Sequence, residues 1–249
     1  MMDLAMAHVA AVSVLDRSWS LRESFGRDRL ALALDLDDLV EALALASRLE
    51  EFFGVVKIGI ELFSASGPEA IAAFRDRGFD VFVDLKLHDM NGTVHKAARV
   101  LGAVGAKYVT LHAQGGADML RAGVEGLLAG AERAGLEQPI PLAVTVLPTA
   151  YDIPRHIVPE RVVIAQASGC GGLVCSGEDS AVARALAPDL LRVVPGIRVC
   201  GGKAAPAPGT VTASEAMAAG ADLLVVGAAV TEARDPESVA RVLLAQVAV

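Results

Sequence analysis

Eight short runs rich in Val, Ile and Leu recur along this chain, each followed by a longer segment of helical periodicity. The runs are LALALDL at 30–36, VVKIGI at 55–60, VFVDLKL at 81–87, KYVTLHA at 107–113, IPLAVTVL at 140–147, GGLVCS at 171–176, LRVVPGI at 191–197 and ADLLVVGAA at 221–229. Segments such as DLVEALALASRLEEFF and GADMLRAGVEGLLAGAERAG lie between them. Several open on Asp, Ser or Gly-Pro and close near Gly, as capped helices do. Eight strand–helix units in roughly 220 residues is the arithmetic of an α/β fold, the (β/α)8 TIM barrel. A single domain over 29–249 is therefore expected, with residues 1–28 as an N-terminal extension. A doubly wound open sheet is the runner-up, but its usual strand count leaves units unassigned. No GxGxxG or GxxxxGK[ST] phosphate loop is present to support it.

Composition narrows the function classes. The 249 residues are 53% hydrophobic but only 4% aromatic, so the core must be aliphatic. With 22 basic against 30 acidic side chains, the net charge of -8 argues against nucleic acid or an anionic membrane as partner. No run approaches the ~18 uninterrupted apolar residues of a membrane span. Three cysteines, Cys170, Cys175 and Cys200, are too few for a disulfide framework and lack zinc-site spacing. A soluble, cytoplasmic protein is expected. Lysine is scarce, at Lys57, Lys86, Lys96, Lys107 and Lys203 only.

Barrel enzymes carry their chemistry at the C-terminal ends of the strands. Those ends hold Asp35, Lys57, Asp84 with Lys86 and His88, His112, Thr145, Ser176 and Arg198, while the last strand offers Gly227, Ala228 and Ala229. One buried ion pair has an ordinary structural explanation; five converging charges do not, because each unpaired buried ion is costly. Strand alternation puts Asp84, Lys86 and His88 on one face and Leu85 and Leu87 on the other. Asp89 has the opposite parity and begins the loop, so it can point across a subunit boundary. The lysines and aspartates compensate one another and suit the delivery of a proton from an ammonium to a carbanion. A Schiff-base lysine is the competing chemistry, but flanking carboxylates favour the charged ammonium over the free amine. His88 and His112 read as orienting or packing groups.

The stretches LALDL, VKIGIELF, GFDVFVDLKLHDMNGTV, VTLHAQGG, AVTVL, GLVCS, VVPGIR and GADLLVVGAAVT, in this order and spacing, resemble the orotidine 5'-monophosphate decarboxylase family from about residue 29 to the C-terminus. The resemblance implies a homodimeric barrel that decarboxylates a small pyrimidine nucleotide with no metal and no organic cofactor. It implies a charged tetrad of Lys57, Asp84, Lys86 and Asp89, the last contributed across the dimer interface. Lys86 would protonate the ring carbon vacated by carbon dioxide, with Asp84 against the substrate carboxylate. Asp35 and Lys57 would hold the ribose hydroxyls, with Thr93 helping from the neighbouring subunit. Thr145, Ser176, Arg198 and Gly227 complete the expected substrate-binding set.

Three departures accompany the match. The family's phosphate-gripping Arg after the last-strand glycine is Ala228, its Gln in the preceding loop falls on Ala207, and a Thr falls on Pro148 beside Thr149. Lys203 and Thr149 are the candidate replacement anchors. Two readings follow: a working decarboxylase with a rebuilt phosphate site, or the same tetrad redirected to a non-phosphorylated nucleoside acid. Two further alternatives are a magnesium-dependent sugar-phosphate branch using Glu61 and Asp84, and a non-catalytic barrel. Two cations beside a metal disfavour the first, and the intact charged set disfavours the second.

Overall fold

The structure is a computed structural model that describes residues 26–147, 153–154, 156–199 and 209–247. A 3-10 turn at Gly26–Arg29 leads into strand β1 (Leu30–Leu34). The barrel continues with β2 (Val55–Ile58), β3 (Asp80–Leu87), β4 (Tyr108–His112), β5 (Ile140–Val144), β6 (Gly172–Val174) and β7 (Leu191–Val194). Two two-residue strands follow, β8 (Ile197–Arg198) and β9 (Val211–Thr212), and then β10 (Leu223–Val226). Eight strands close in the order β1-β10-β7-β6-β5-β4-β3-β2, every pair parallel. That closure excludes the open-sheet alternative.

The strands are shorter than the apolar runs that mark them. The last run, 221–229, contains only the four-residue β10. Gly227 then ends it and begins the short helix α9 (Ala228–Thr231). Likewise LRVVPGI is not one strand: β7 stops at Val194, and Ile197–Arg198 pair with Val211–Thr212 in a separate two-stranded sheet. Pro195 lacks the N–H a ladder needs, and Gly196 turns the chain at φ +74.

Alternate residues of the strands fill the barrel interior. Ala31, Ala33, Val55, Phe82, Tyr108, Ile140, Leu142, Leu191, Val193, Leu223 and Val225 form one buried cluster. The residues between them pack outward against the helices in two larger clusters. Helices α4 (Asn91–Ala103) and α5 (Gly116–Ala134) approach backbone to backbone. A Cβ at Gly126 or Gly130 would stand 2.2 or 2.0 Å from the carbonyl oxygen of His95 or Arg99. His95 itself is a packing residue, its Nδ1 3.1 Å from the Ala122 carbonyl.

Among the described residues, no helix is long and apolar enough to cross a membrane. The expected anchors Lys203 and Thr149, with Ala207, Pro148 and Cys200, lie outside the described residues, as does nearly all of the 1–28 extension.

Candidate active site

The interior alternation continues to the C-terminal mouth, and there the side chains turn from apolar to charged. Above Ala31 and Ala33 stands Asp35; above Val55 stands Lys57; above Phe82 stands Asp84; above Tyr108 stands Thr110. Lys57 Nζ lies 3.1 Å from Asp35 Oδ1 and 3.8 Å from Asp84 Oδ2. Lys86 Nζ lies 2.9 Å from the same Asp84 oxygen. The Thr110 hydroxyl donates to Asp84 Oδ1 at 3.0 Å. One carboxylate thus receives two ammonium groups and a hydroxyl, which compensates its burial. Gly59 leaves room for the arrangement, since a Cβ there would fall 3.2 Å from Asp35 Oδ1 and 3.3 Å from Lys57 Nζ.

A cleft of about 390 Å³ opens beside these charges. Asp35, Lys57 and Asp84 line it together with Pro195, Gly196, Ile197, Thr210, Gly227, Ala228 and Ala229. Apart from those three charged residues the lining is small or uncharged, with Ala228 at the position that the resemblance assigns to an Arg. A cavity of about 430 Å³ beside Arg29 and Gln246 sits next to the residues that precede β1, away from these charges.

The remaining expected site residues are distributed unevenly. Asp89 is exposed, and its Oδ1 accepts from the Met90 N–H at 2.6 Å, so within one chain it does not join the Lys57–Asp84–Lys86 contacts. Thr93 is exposed in the first turn of α4. Thr145 is fully buried, and its hydroxyl donates to the Val174 carbonyl at 3.0 Å. Arg161 Nη1 in turn donates to the Thr145 carbonyl. Ser176 exchanges bonds with Asp179, its hydroxyl donating to Oδ2 at 2.7 Å.

Arg198 is engaged in part: its Nη2 donates to Glu215 Oε2 at 3.1 Å, while among the described residues its buried Nε meets no acceptor. Glu215 also closes a capping box with Thr212 at the start of helix α8 (Ala213–Ala218). The Thr212 N–H, then its hydroxyl contact, then Arg198 hold the Glu215 carboxyl below its ordinary range. Gly227 lines the cleft with backbone only.

One sequence expectation about the site needs correction. The alternation through Asp84, Lys86 and His88 is not a regular pleat. Lys86 has φ +52, the sole non-glycine residue with positive φ among those described, and the β3–β4 register shifts between Val83 and Leu87. Asp84 and Lys86 still converge, but His88 makes no hydrogen bond with them and instead stacks on His112 at the end of β4, ring centroids 5.5 Å apart. Burial, with Arg161, His88 and Lys86 nearby, lowers the His112 pKa, and its Nδ1 accepts from the Gln114 N–H at 3.2 Å. Glu61, weighed as a metal ligand, is exposed on helix α2 (Ile60–Ser66), and no group of three His, Cys, Asp or Glu side chains among the described residues stands close enough to hold an ion. Burial pushes the Cys170 and Cys175 thiols up to about 12, as befits inert packing groups.

Thr110 was missed by reading strand ends alone. The signal that finds it is parity: it shares the inward face with Tyr108, at the level of Asp84 on the neighbouring strand.

Comparison with known proteins agrees with this geometry. Residues 28–243 match the family model described as orotidine 5'-phosphate decarboxylase / HUMPS family. The chain is 39% identical over 221 residues to orotidine 5'-phosphate decarboxylase of Paramagnetospirillum magneticum, covering 84% of this chain and 94% of that protein. It is 38% identical over 235 residues to the enzyme of Halorhodospira halophila, covering 90% and 97%. Among solved structures, orotidine 5'-phosphate decarboxylase from Lactobacillus acidophilus superposes with a TM-score of 0.76 at 32% identity, covering 88% of this chain and 99% of that one. A barrel with a lysine–aspartate cluster at its mouth and relatives of this length and identity leads to one conclusion: the chain belongs to the orotidine 5'-phosphate decarboxylase / HUMPS family.

Proposed function

We propose that the protein decarboxylates orotidine 5'-monophosphate to uridine 5'-monophosphate, with Lys86 as proton donor. The observation that carries this reading is the Lys57–Asp84–Lys86 chain of contacts beside the cleft. The bond between the ring carbon and the carboxylate breaks, carbon dioxide leaves, and the electron pair stays on the ring carbon. Lys86 Nζ gives that carbon a proton and is recharged from solvent. A fixed ammonium stabilises charge as it develops, without reorganising at the moment of reaction. Asp84 faces the departing carboxylate and disfavours it in the ground state. Asp35 and Lys57 hold the ribose hydroxyls. These roles need no metal and no organic cofactor, because the proton donor and the charge stabiliser are both side chains.

Asp89 and Thr93 complete the site from a second copy of the chain. Their exposure supports this, as does that of two large apolar side chains, Met90 beside Asp89 and Ile60 after β2, 76% and 59% exposed. A covered interface is where such large apolar groups belong.

Ala228 on the cleft wall, where the resemblance expects an Arg, motivates a second reading, in which the substrate is a non-phosphorylated nucleoside acid. Steady-state kinetics with orotidine and its 5'-monophosphate separate the two. The first reading expects kcat/KM to favour the phosphorylated substrate by at least about 100-fold, roughly two charge-assisted hydrogen bonds. Equal turnover would overturn it.

A further inference from the structure

We propose that Thr110, on β4, is a positioning residue that sets both the backbone of Lys86 and the carboxylate of Asp84 through one hydroxyl. The proposal rests on the reading that Lys86 and Asp84 carry the reaction.

The β3–β4 ladder is regular up to Val83, opposite Val109, and resumes at Leu87, opposite Leu111. Between those pairs β3 carries Asp84, Leu85 and Lys86, while β4 carries Thr110 alone. The surplus arches out of the ladder as a bulge, a device that re-aims side chains beside active sites. The arch places Lys86 at φ +52. For a residue with a Cβ that conformation is unfavourable and persists only where the surroundings over-determine it.

Thr110 supplies that determination. Lifted off the ladder, the Lys86 N–H needs an acceptor, and Thr110 Oγ1 takes it at 2.8 Å. The same hydroxyl donates its single hydrogen to Asp84 Oδ1 at 3.0 Å. Asp84 Oδ2 receives the Lys86 ammonium at 2.9 Å. The contacts close a ring that begins at the backbone of Lys86 and returns to its side chain. Thr110 is fully buried, so bulk water has no access to replace it. Its hydroxyl is already committed to the Lys86 N–H and to Asp84, so it acts through those two residues rather than on substrate.

Thr110→Val keeps the shape and removes the hydroxyl, whereas Thr110→Ser keeps the hydroxyl. The full-length variants are compared by kcat and KM with orotidine 5'-monophosphate, by amide hydrogen exchange at Lys86, and by melting temperature. Thr110→Val is expected to lower kcat about 10- to 100-fold, the scale of a 1 Å misplacement, with KM changed less than about threefold. The Lys86 amide is expected to exchange at least about tenfold faster, because its acceptor is gone. Thr110→Ser is expected to restore both. Wild-type kcat and a protected Lys86 amide in Thr110→Val would overturn the proposal, as would Thr110→Ser behaving like Thr110→Val. Should Thr110→Val not fold, Thr110→Cys, a weak hydrogen-bonding group of similar size, makes the same comparison. If Lys86→Ala retains full turnover, the reaction assigned to the site fails while the amide exchange still reports on the hydroxyl. If Lys86→Ala is inactive and Thr110→Val matches wild type in both readouts, only the role of Thr110 fails.

Discussion

Two groups of buried charge stand at opposite ends of the barrel strands, and they are built to different rules. Near the N-terminal ends of β7 and β10, Arg192 Nη2 meets Asp222 Oδ2 at 2.7 Å. Its Nε donates to the Gly220 carbonyl at 2.6 Å and its Nη1 to the Pro188 carbonyl at 3.1 Å. The Arg192 backbone N–H donates to the same Asp222 oxygen at 2.8 Å. Each nitrogen of that guanidinium is engaged, and the planar fork is matched to fixed carbonyls and one carboxylate. At the mouth, two lysines share Asp84, and Lys57, Asp84 and Asp35 also line a cleft. A saturated pair ties elements together; a cluster with donors to spare stores charge for a ligand. Arg suits the first task and Lys the second, because an ammonium on a flexible stem can move and give up a proton.

The sharpest way to break this contrast is to truncate the saturated pair. Arg192→Ala leaves Asp222 without its guanidinium, with only the backbone N–H of residue 192 remaining, and leaves the Gly220 and Pro188 carbonyls without their donors. Removing one member of such a pair costs on the order of 3 kcal/mol, read as a lower urea midpoint or melting temperature. Turnover per folded molecule is expected to stay within about twofold of wild type, since no surplus donor is lost from the mouth. An Arg192→Ala protein of unchanged stability would erase the distinction.

A smaller effect probes the mouth. Burial, then Arg161, His88 and Lys86, holds the His112 pKa below its ordinary value. Between that lowered value and about 6.5 the unfolded chain binds a proton that the folded chain refuses. The stability contribution is therefore complete above about pH 6.5 and is lost as pH falls toward the folded-state value. The slope is at most about 1.4 kcal/mol per pH unit. His112→Asn should flatten it, measured as urea midpoints between about pH 5 and 7. A slope unchanged by the substitution would mean that the mouth is neither as dry nor as cationic as its geometry indicates.

Much of the barrel was legible because its two periods are local. Position at the C-terminal ends of the strands singled out Asp35, Lys57 and Asp84 before any partner was known. What stayed hidden depends on pairs of segments far apart in sequence. The arch at Asp84–Lys86 is a property of β3 and β4 together, fixed by the Thr110 hydroxyl, so alternation within β3 could not reveal it. His88 follows His112 for the same reason. Arg198 read as a strand-end cation, yet its neighbour is Glu215, which the Thr212 cap turns toward it from α8. Arg192 sits inside the run LRVVPGI and drew no notice, because its partners Pro188, Gly220 and Asp222 converge only once the barrel closes.

The contrast between a binding pair and a working cluster meets its most direct test in Lys86→Met, assayed for turnover and for stability on the same preparation. Substitution of the ammonium by an apolar chain of similar length removes the proton donor, so kcat with orotidine 5'-monophosphate should fall by at least about 10³-fold. The melting temperature should stay within about 2 °C or rise, as expected when a group held for function rather than stability is removed. A variant that keeps its turnover, or one that loses stability as Arg192→Ala does, would contradict the assignment of the mouth lysines to chemistry.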